Sequence, residues 1–205
     1  MLEDMTRALI VIDVQESFRQ RPLWRAISNP SIAADVARLV DGVRAAGDLV
    51  VWILHTEPGS GGTFDPASGH VRLIEPLTPL AGEPVFTKTS HNAFTTTGLQ
   101  QLLTQRGVTG LVVCGIRTEQ CCETTARVAS DLGYQVTFVT EATASNPIPH
   151  RDAAPGQTVE ELLADPRTLP ASAVIERTEY ALAGRFATIA TIGEVIGAPA
   201  ALTRS

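Results

Sequence analysis

The chain has 205 residues, of which 44% are apolar and 19% are charged, and its formal net charge at pH 7 is −6. This size and composition are typical of one globular domain, predicted here to span residues 1–205. No apolar run reaches the ~18 residues that a membrane-spanning helix needs. The acidic balance, without any basic cluster, argues against nucleic acid or a membrane surface as a partner, so we expect a small-molecule partner.

The N-terminus and the cysteines indicate the compartment. Residues 1–7 carry acidic side chains and lead directly into a strand-like run, which is not the pattern of a signal or transit peptide. The three cysteines, Cys114, Cys121 and Cys122, lie within nine residues of one another and form a poor disulfide framework. These features predict a cytoplasmic protein with a free thiol available for chemistry.

The first half of the chain alternates strands with helices. The first predicted strand, residues 8–14, is continuously apolar, as expected for a strand buried on both faces. An apolar stripe from Ile32 to Val43 predicts a helix that ends at Gly47. A second strand follows at residues 49–54, and then a loop rich in glycine, proline and serine at residues 57–69, which is a candidate lid.

The second half continues this alternation. A capping box from Thr158 to Glu161 predicts a short helix within the otherwise loose, proline-rich stretch 144–170. Strands alternating with helices favour a doubly wound, Rossmann-like α/β/α fold of three layers, with a mostly parallel sheet. The remaining predicted elements are strand 84–87, a helix from Leu99 that Gly107 terminates, strand 110–114, helix 118–132, strand 134–139, a last strand at 173–175 and a last helix at 188–196.

Three reactive side chains follow predicted strands, at the edge where doubly wound sheets bind ligands. Asp13 ends the first strand, Lys88 follows the third, and Cys121 lies in the first turn of the helix after the fourth. Free N–H groups and the dipole at a helix start lower the pKa of a thiol, so Cys121 is the best candidate nucleophile. Asp13 could take the thiol proton and pass it to a leaving nitrogen, while Lys88 stabilises the thiolate. Backbone N–H groups of Arg117 and Cys121 could form an oxyanion hole.

Three sequence blocks carry a family resemblance. They are Ile10-Val-Ile-Asp-Val-Gln15, then Thr87-Lys88 with Ala93-Phe94 behind it, and Cys114-Gly-Ile-Arg-Thr-Glu-Gln-Cys121 with Thr125-Ala126 behind it. In these blocks the chain resembles the amidohydrolase branch of the isochorismatase-like cysteine hydrolases. The resemblance implies a six-stranded parallel sheet, an Asp13–Lys88–Cys121 triad and a thioester intermediate. It also implies a cis peptide before Arg117 and assembly into a homo-oligomer, either a dimer or a tetramer.

Two departures from relatives narrow the predicted function. Nicotinamidases of this superfamily hold a metal through an Asp-x-His motif and a second histidine, whereas this chain has Leu54-His-Thr-Glu57, with His70 far along a loop. We therefore predict no metal site and no cofactor. True isochorismatases, which cleave a vinyl ether, lack the nucleophilic cysteine that is present here.

The sequence as a whole predicts an enzyme. The expected reaction is metal-independent hydrolysis of a C–N bond in a small amide, a carbamoyl or ureido compound, or a lactam, through a thioester acyl-enzyme. Two alternatives stay open. One is a vinyl-ether hydrolase of the isochorismatase type, and the other is a catalytically silent binding protein on the same fold.

Several side chains near these blocks are candidates for lining the substrate cavity. Phe18 and Phe94 could form an apolar wall, although ordinary packing is an equal alternative. His55 and His91 could face the substrate or serve structural roles. The guanidinium of Arg117 could clamp a carboxylate or carbonyl, or point outward. The full predicted set is Gln15, Phe18, His55, His91, Phe94, Arg117 and Thr118.

Overall fold

The sheet at the centre of the fold has six strands, all parallel, in the order β3-β2-β1-β4-β5-β6. A computed structural model describes residues 6–197 of the chain. The predicted doubly wound α/β/α architecture is confirmed, while both ends of the predicted domain 1–205 lie outside the described residues. The strands are β1 (Thr6–Ile12), β2 (Leu49–His55), β3 (Val85–Lys88), β4 (Val108–Ile116), β5 (Gln135–Ala144) and β6 (Thr188–Ala190).

Helices pack on both faces of this sheet. Helices follow β1, β3, β4 and β5 in the chain, and the capping box at Thr158 begins a short helix as predicted. Within residues 6–197 no helix is both long and apolar enough to cross a membrane. The helices are α1 (Glu16–Arg19), α2 (Ile32–Ala45), α3 (Leu99–Gln105), α4 (Glu123–Asp131), α5 (Val159–Ala164), α6 (Ala171–Leu182) and α7 (Ile192–Gly197), with a π-helical turn at Thr118–Cys122 directly before α4.

Strand β1 contributes to the hydrophobic core on both sides of the sheet. Leu9 and Val11 pack with the helices of one face, and Ile10 and Ile12 pack with those of the other. All four side chains are fully buried. Successive side chains of a strand point to opposite faces, so a strand covered on both sides has to be apolar at every position. This is the physical reason for the continuous apolar run.

The prediction for the last strand was wrong. Residues 173–175 lie inside α6, whose buried side chains, Val174, Thr178 and Leu182, recur every four residues along one helical face. A short Ala-Val-Ile run fits either a strand or a helix, and only the longer spacing distinguishes them.

The true sixth strand lies at the start of the predicted final helix. Thr188–Ala190 pairs with β5 at the edge of the sheet, and α7 begins only at Ile192. Thr191 separates the two elements, because its hydroxyl accepts the N–H of Glu194 while the Glu194 carboxylate accepts the N–H of Thr191. This reciprocal pairing is a helix start, and it ends the strand one residue earlier.

The order of the strands reverses at β1. From β1 the chain moves outward to β2 and β3, and it then returns to place β4 on the other side of β1. The segments that leave the carboxyl ends of β1 and β4 therefore diverge and leave a crevice between them, which is where doubly wound sheets bind ligands. Asp13 follows β1, and Cys121 follows β4.

Strands β1 and β4 approach closely at this crevice, and Gly115 makes that approach possible. Gly115 has a φ of 128°, and a Cβ added there would lie 1.9 Å from the carbonyl oxygen of Ile12. Asp13, the next residue, has a φ of 54°, in the left-handed region. Aspartate tolerates that region better than most residues do, because its short side chain can bond locally. Gly115 on β4 thus determines the position of Asp13 at the end of β1.

Replacing Gly115 with alanine is expected to destabilise the protein by more than about 3 kcal/mol, or to prevent folding, because the clash is with backbone that cannot move aside. Gly193→Ala is the matched control. Its added Cβ meets nothing closer than 3.9 Å, and alanine favours the helix there. Urea denaturation followed by circular dichroism measures both variants. Equal free energies of unfolding for Gly115→Ala and Gly193→Ala would contradict the close approach of β1 and β4.

Candidate active site

Asp13, Lys88 and Cys121 meet at the crevice. The Lys88 ammonium lies 2.8 Å from Oδ2 of Asp13 and 3.4 Å from Sγ of Cys121. Asp13 and Lys88 are completely buried, and Cys121 is 8% exposed. Lys88 reaches the other two although β2 lies between its own strand and β1. The structure therefore brings together three residues that are 75 and 33 positions apart along the chain.

The Lys88 ammonium contacts three groups. It forms an ion pair with Asp13, and it donates hydrogen bonds to Sγ of Cys121 and to the backbone carbonyl of Ser90, the latter at 3.1 Å. An ammonium group carries three donors, and a buried cation is stable only when it is paired and hydrogen-bonded. These contacts hold the nitrogen in one place between the carboxylate and the thiol.

Burial shapes the electrostatics of Asp13 and Cys121. Loss of solvent raises the pKa of the Asp13 carboxyl, and the Lys88 ammonium opposes that change. Burial also raises the pKa of the Cys121 thiol to about 12, with the Asp13 charge adding to the increase and Lys88 opposing it. The predicted lowering of the thiol pKa is wrong for the resting protein, since desolvation and a facing carboxylate outweigh the helix start. A neutral thiol thus rests beside a carboxylate that can accept its proton.

Alkylation with iodoacetamide can test this resting state. With a pKa of about 12, the Cys121 thiolate fraction should rise by about tenfold per pH unit, so the alkylation rate should increase from pH 7 to 10 without a plateau. Asp13→Asn removes the charge that raises the thiol pKa, and it should speed alkylation of Cys121 at pH 7. Cys121→Ser is the control that assigns the modified thiol. A rate that levels off below pH 9 in the unsubstituted protein would show a low-pKa thiol instead.

The buried ion pair makes a separate prediction about stability. Lys88→Met leaves the Asp13 charge buried without its partner and should lower the free energy of unfolding at pH 8 by about 3–5 kcal/mol. The double variant Lys88→Met/Asp13→Asn should recover most of the lost free energy of unfolding. A carboxyl whose pKa is raised in the folded protein binds a proton more tightly when folded, so the cost of Lys88→Met should shrink as the pH falls toward 5. Urea denaturation at pH 5 and pH 8 measures this, and a double variant no more stable than the single one would contradict it.

Thr125 connects the segment after Lys88 to the turn that carries Cys121. Its hydroxyl donates to the carbonyl of Cys121 at 2.6 Å and accepts the backbone N–H of Ala93 at 3.1 Å. Cys122 and Ala126, on the same helical segment, are fully buried in the core. These contacts explain why Thr125 and Ala126 belong to the sequence block, since they anchor the reactive segment from behind.

The peptide before Arg117 is cis, as the family resemblance implied. Beyond it, Gln120 and Cys122 both donate their backbone N–H groups to the Arg117 carbonyl at 3.2 Å. The π-helical turn that these bonds close carries Cys121.

A cavity of about 270 Å³ borders Cys121 and Asp13. Four of the predicted lining residues do face it, namely Phe18, His55, His91 and Arg117. The sequence interpretation missed four others, Arg21, Glu57, Phe64 and Gln120.

Two of the missed residues belong to the loop that the sequence marked as a candidate lid. Glu57 lies 3.3 Å from the imidazole of His55, and the ring of Phe64 packs edge-on against Phe18 with centroids 5.0 Å apart. Phe64 is the only aromatic residue in residues 57–69, which is a signal that could have singled it out. Arg21 and Gln120 gave no such signal, because single polar residues beside a loop are usually solvated.

Gln15 does not line the cavity, contrary to its place in the predicted set. Its side chain is buried and joins the ends of two strands. The amide nitrogen donates to the His55 carbonyl and to the Ser17 hydroxyl, and the amide oxygen accepts the His55 N–H. Every polar atom of this amide is occupied by the protein, so Gln15 positions His55 and is not free for substrate.

Phe94 and Thr118 also lie away from the cavity. Phe94 is buried in the core, where it stacks on Tyr134 with centroids 6.0 Å apart. The Thr118 hydroxyl donates to the hydroxyl of Thr143 at 2.9 Å and is fully buried. Both residues belong to the sequence blocks, but their side chains are buried in the protein and do not border the cavity. Within residues 6–197, the His, Cys, Asp and Glu side chains form no group of three that could hold a metal ion.

The fold and the site together define a doubly wound α/β domain with a buried Asp–Lys–Cys cluster at the point where the strand order reverses. The family model for the isochorismatase domain matches residues 7–159, which is most of the chain. The chain therefore belongs to the isochorismatase family of hydrolases.

Solved and curated relatives extend this assignment. An isochorismatase from Pseudomonas putida KT2440 superposes with a TM-score of 0.79 at 31% identity, covering 92% of this chain and 89% of that one. A streptothricin hydrolase of Streptomyces noursei is 36% identical over 86% of this chain, which spans only 65% of that protein's length. Nicotinamidase 3 of Arabidopsis thaliana is 33% identical, covering 67% of this chain and 73% of its own.

Proposed function

We propose that this protein hydrolyses a C–N bond in a small amide, carbamoyl or ureido compound, or lactam, with Cys121 as the nucleophile. The observation that carries the proposal is the position of the Lys88 ammonium, in contact with both the Asp13 carboxylate and the Cys121 thiol at the edge of a ligand-sized cavity. This arrangement places a base beside a nucleophile, which is one way to activate a nucleophile for covalent catalysis, and a cation contacts both.

In the first half of the proposed reaction, Asp13 takes the proton of Cys121 as Sγ attacks the substrate carbonyl carbon. Because burial raises the pKa of the thiol to about 12, the proton leaves during the attack rather than before it. Asp13 then passes the same proton to the leaving nitrogen, the C–N bond breaks, and ammonia or an amine departs. The product is a thioester on Cys121.

In the second half, Asp13 takes a proton from a water molecule that attacks the thioester carbonyl. The C–S bond breaks, and the sulfur recovers a proton from Asp13, which restores the starting state and releases a carboxylic or carbamic acid. The raised pKa of Asp13 suits this exchange, since a base that also acts as an acid works best when its pKa is near the working pH. Lys88 keeps its contacts and stabilises the anionic sulfur.

The backbone N–H groups of Arg117 and Cys121 are the proposed donors to the substrate carbonyl oxygen. Donors of this kind stabilise the negative charge that develops on that oxygen, which is often the largest single contribution to catalysis. Hydrogen bonds of the turn occupy the N–H groups of Gln120 and Cys122.

The relatives support the hydrolysis of amides. One is named as a nicotinamidase, which denotes an amidase, and another as a streptothricin hydrolase. The proposed mechanism needs no metal ion. We also propose that the protein works in the cytoplasm, where its three free cysteine thiols would stay reduced. It is further proposed to assemble as a dimer or tetramer.

Ammonia release from a panel of small primary amides and carbamoyl compounds tests the proposal. Cys121→Ser should lower turnover by at least about 10³-fold, because an alkoxide is far harder to form at this site than a thiolate. Cys122→Ala removes the neighbouring thiol, which is buried in the core, and serves as the matched control that retains turnover. Treatment with EDTA should leave the rate unchanged.

Mass spectrometry of the enzyme quenched during turnover should detect the acyl group on the peptide that contains Cys121. Full activity in Cys121→Ser would overturn the mechanism. No ammonia from any compound, together with no acyl adduct, would favour the vinyl-ether hydrolase or the silent binding protein.

A further inference from the structure

The cavity is bordered by two arginines that have no counter-ion among residues 6–197. Arg117 precedes the turn that carries Cys121, and Arg21 lies at the end of the segment that follows Asp13. Both border the same cavity as the thiol. Among the ion pairs and side-chain hydrogen bonds of residues 6–197, none involves the guanidinium of Arg21 or Arg117.

The surroundings of Arg117 make this lack of a partner unfavourable. Burial lowers the pKa of the Arg117 guanidinium, and the nearby Arg21 adds to the effect, while Glu119 acts in the opposite sense. The Glu119 carboxylate accepts the Ser145 hydroxyl through one oxygen at 2.6 Å, and its other oxygen has no hydrogen-bond partner among residues 6–197. Two neighbouring cations, one of them partly desolvated, are stabilised when an anion enters between them.

Two carboxylates, those of Asp13 and Glu57, border the cavity. The Asp13 carboxylate is paired with Lys88 at 2.8 Å. Glu57 lies 3.3 Å from the ring nitrogen of His55, and its side chain is half exposed to solvent. Neither carboxylate pairs with Arg21 or Arg117 within the described residues. The two guanidinium groups therefore remain available to a ligand.

We propose that the substrate is an amide that carries a carboxylate, and that Arg21 and Arg117 bind this carboxylate while Cys121 attacks the amide carbonyl. This inference rests on the proposed function and names the substrate class of the same site. Guanidinium groups bind carboxylates through paired, charge-assisted hydrogen bonds, so both arginines are suited to the role.

The size of the cavity limits the substrate to a small molecule. Its volume of about 270 Å³ lies just below the ~300–1,000 Å³ typical of ligand pockets. Arg21 also borders a neighbouring cleft of about 540 Å³ that is walled by residues 149–159. The carboxylate is therefore expected at the side of the cavity that faces this cleft, and the amide at the side of Cys121.

A series of three amides of similar size and different charge tests the proposal. Succinamate carries a carboxylate, succinamide replaces it with a neutral carboxamide, and β-alaninamide carries an ammonium group. Ammonia release should give the highest kcat/KM for succinamate and the lowest for β-alaninamide. Arg117→Met and Arg21→Met should each reduce kcat/KM for succinamate by about 10- to 100-fold and change that for succinamide by less than about threefold.

Arg25→Gln is the matched control variant. Arg25 lies on the same short 3₁₀ turn as the residues after Arg21, but it pairs with Glu160 and does not border the cavity. Its substitution should leave all three rates unchanged. A binding measurement independent of turnover uses calorimetry with succinate, which should bind Cys121→Ser and lose at least about tenfold in affinity when Arg117→Met is added.

The outcomes separate this inference from the proposed function. Equal or better cleavage of succinamide or β-alaninamide, unaffected by either arginine variant, would overturn the carboxylate assignment and leave the cysteine mechanism standing. Binding of succinate that depends on Arg117, in a protein that cleaves none of the three amides, would support the carboxylate site and count against amide hydrolysis.

Discussion

The buried ion pair between Asp13 and Lys88 is the constraint on which the site depends. Two charges removed from water are stable only while they stay in contact, so each holds the other in place. Because Lys88 also contacts Cys121, the pair sets the position of the sulfur and the charge around it. The close approach of β1 and β4 at Gly115 fixes where Asp13 enters this arrangement.

Burial is the main reason why the pKa of the Cys121 thiol is raised and the thiol rests in its neutral form. The charge of Asp13 adds to this effect, and the charge of Lys88 opposes it. In the proposed reaction a substrate carbonyl changes this balance, because the proton passes to Asp13 as the new bond forms. A neutral thiol reacts slowly with free electrophiles, so the proposed reaction depends on a carbonyl group that the cavity positions.

The charged residues at the cavity fall into two groups. Asp13 and Lys88 neutralise each other around the thiol, and Glu57 lies beside His55. Arg21 and Arg117 form no ion pair with any of residues 6–197, and they lie on segments that leave β1 and β4 at the point where the strand order reverses. The aromatic rings of Phe18 and Phe64 contribute an apolar wall beside these charges. Under the proposed function, reactivity and substrate selection therefore come from different residues of one cavity.

The sequence by itself determined the layers of the fold and predicted that Asp13, Lys88 and Cys121 lie at the ends of its strands. Continuous apolar strands can only be buried on both faces, and Asp13, Lys88 and Cys121 stand where such strands end. The tertiary structure alone decided the sixth strand, because an Ala-Val-Ile run is too short to distinguish a helix from a strand. It also decided the protonation state of Cys121 and the engagement of Gln15, Phe94 and Thr118, which depend on burial and on partners distant in the chain. The tertiary structure also brings Arg21 and Arg117 to one cavity. The local sequence does not indicate which loops border the same cavity.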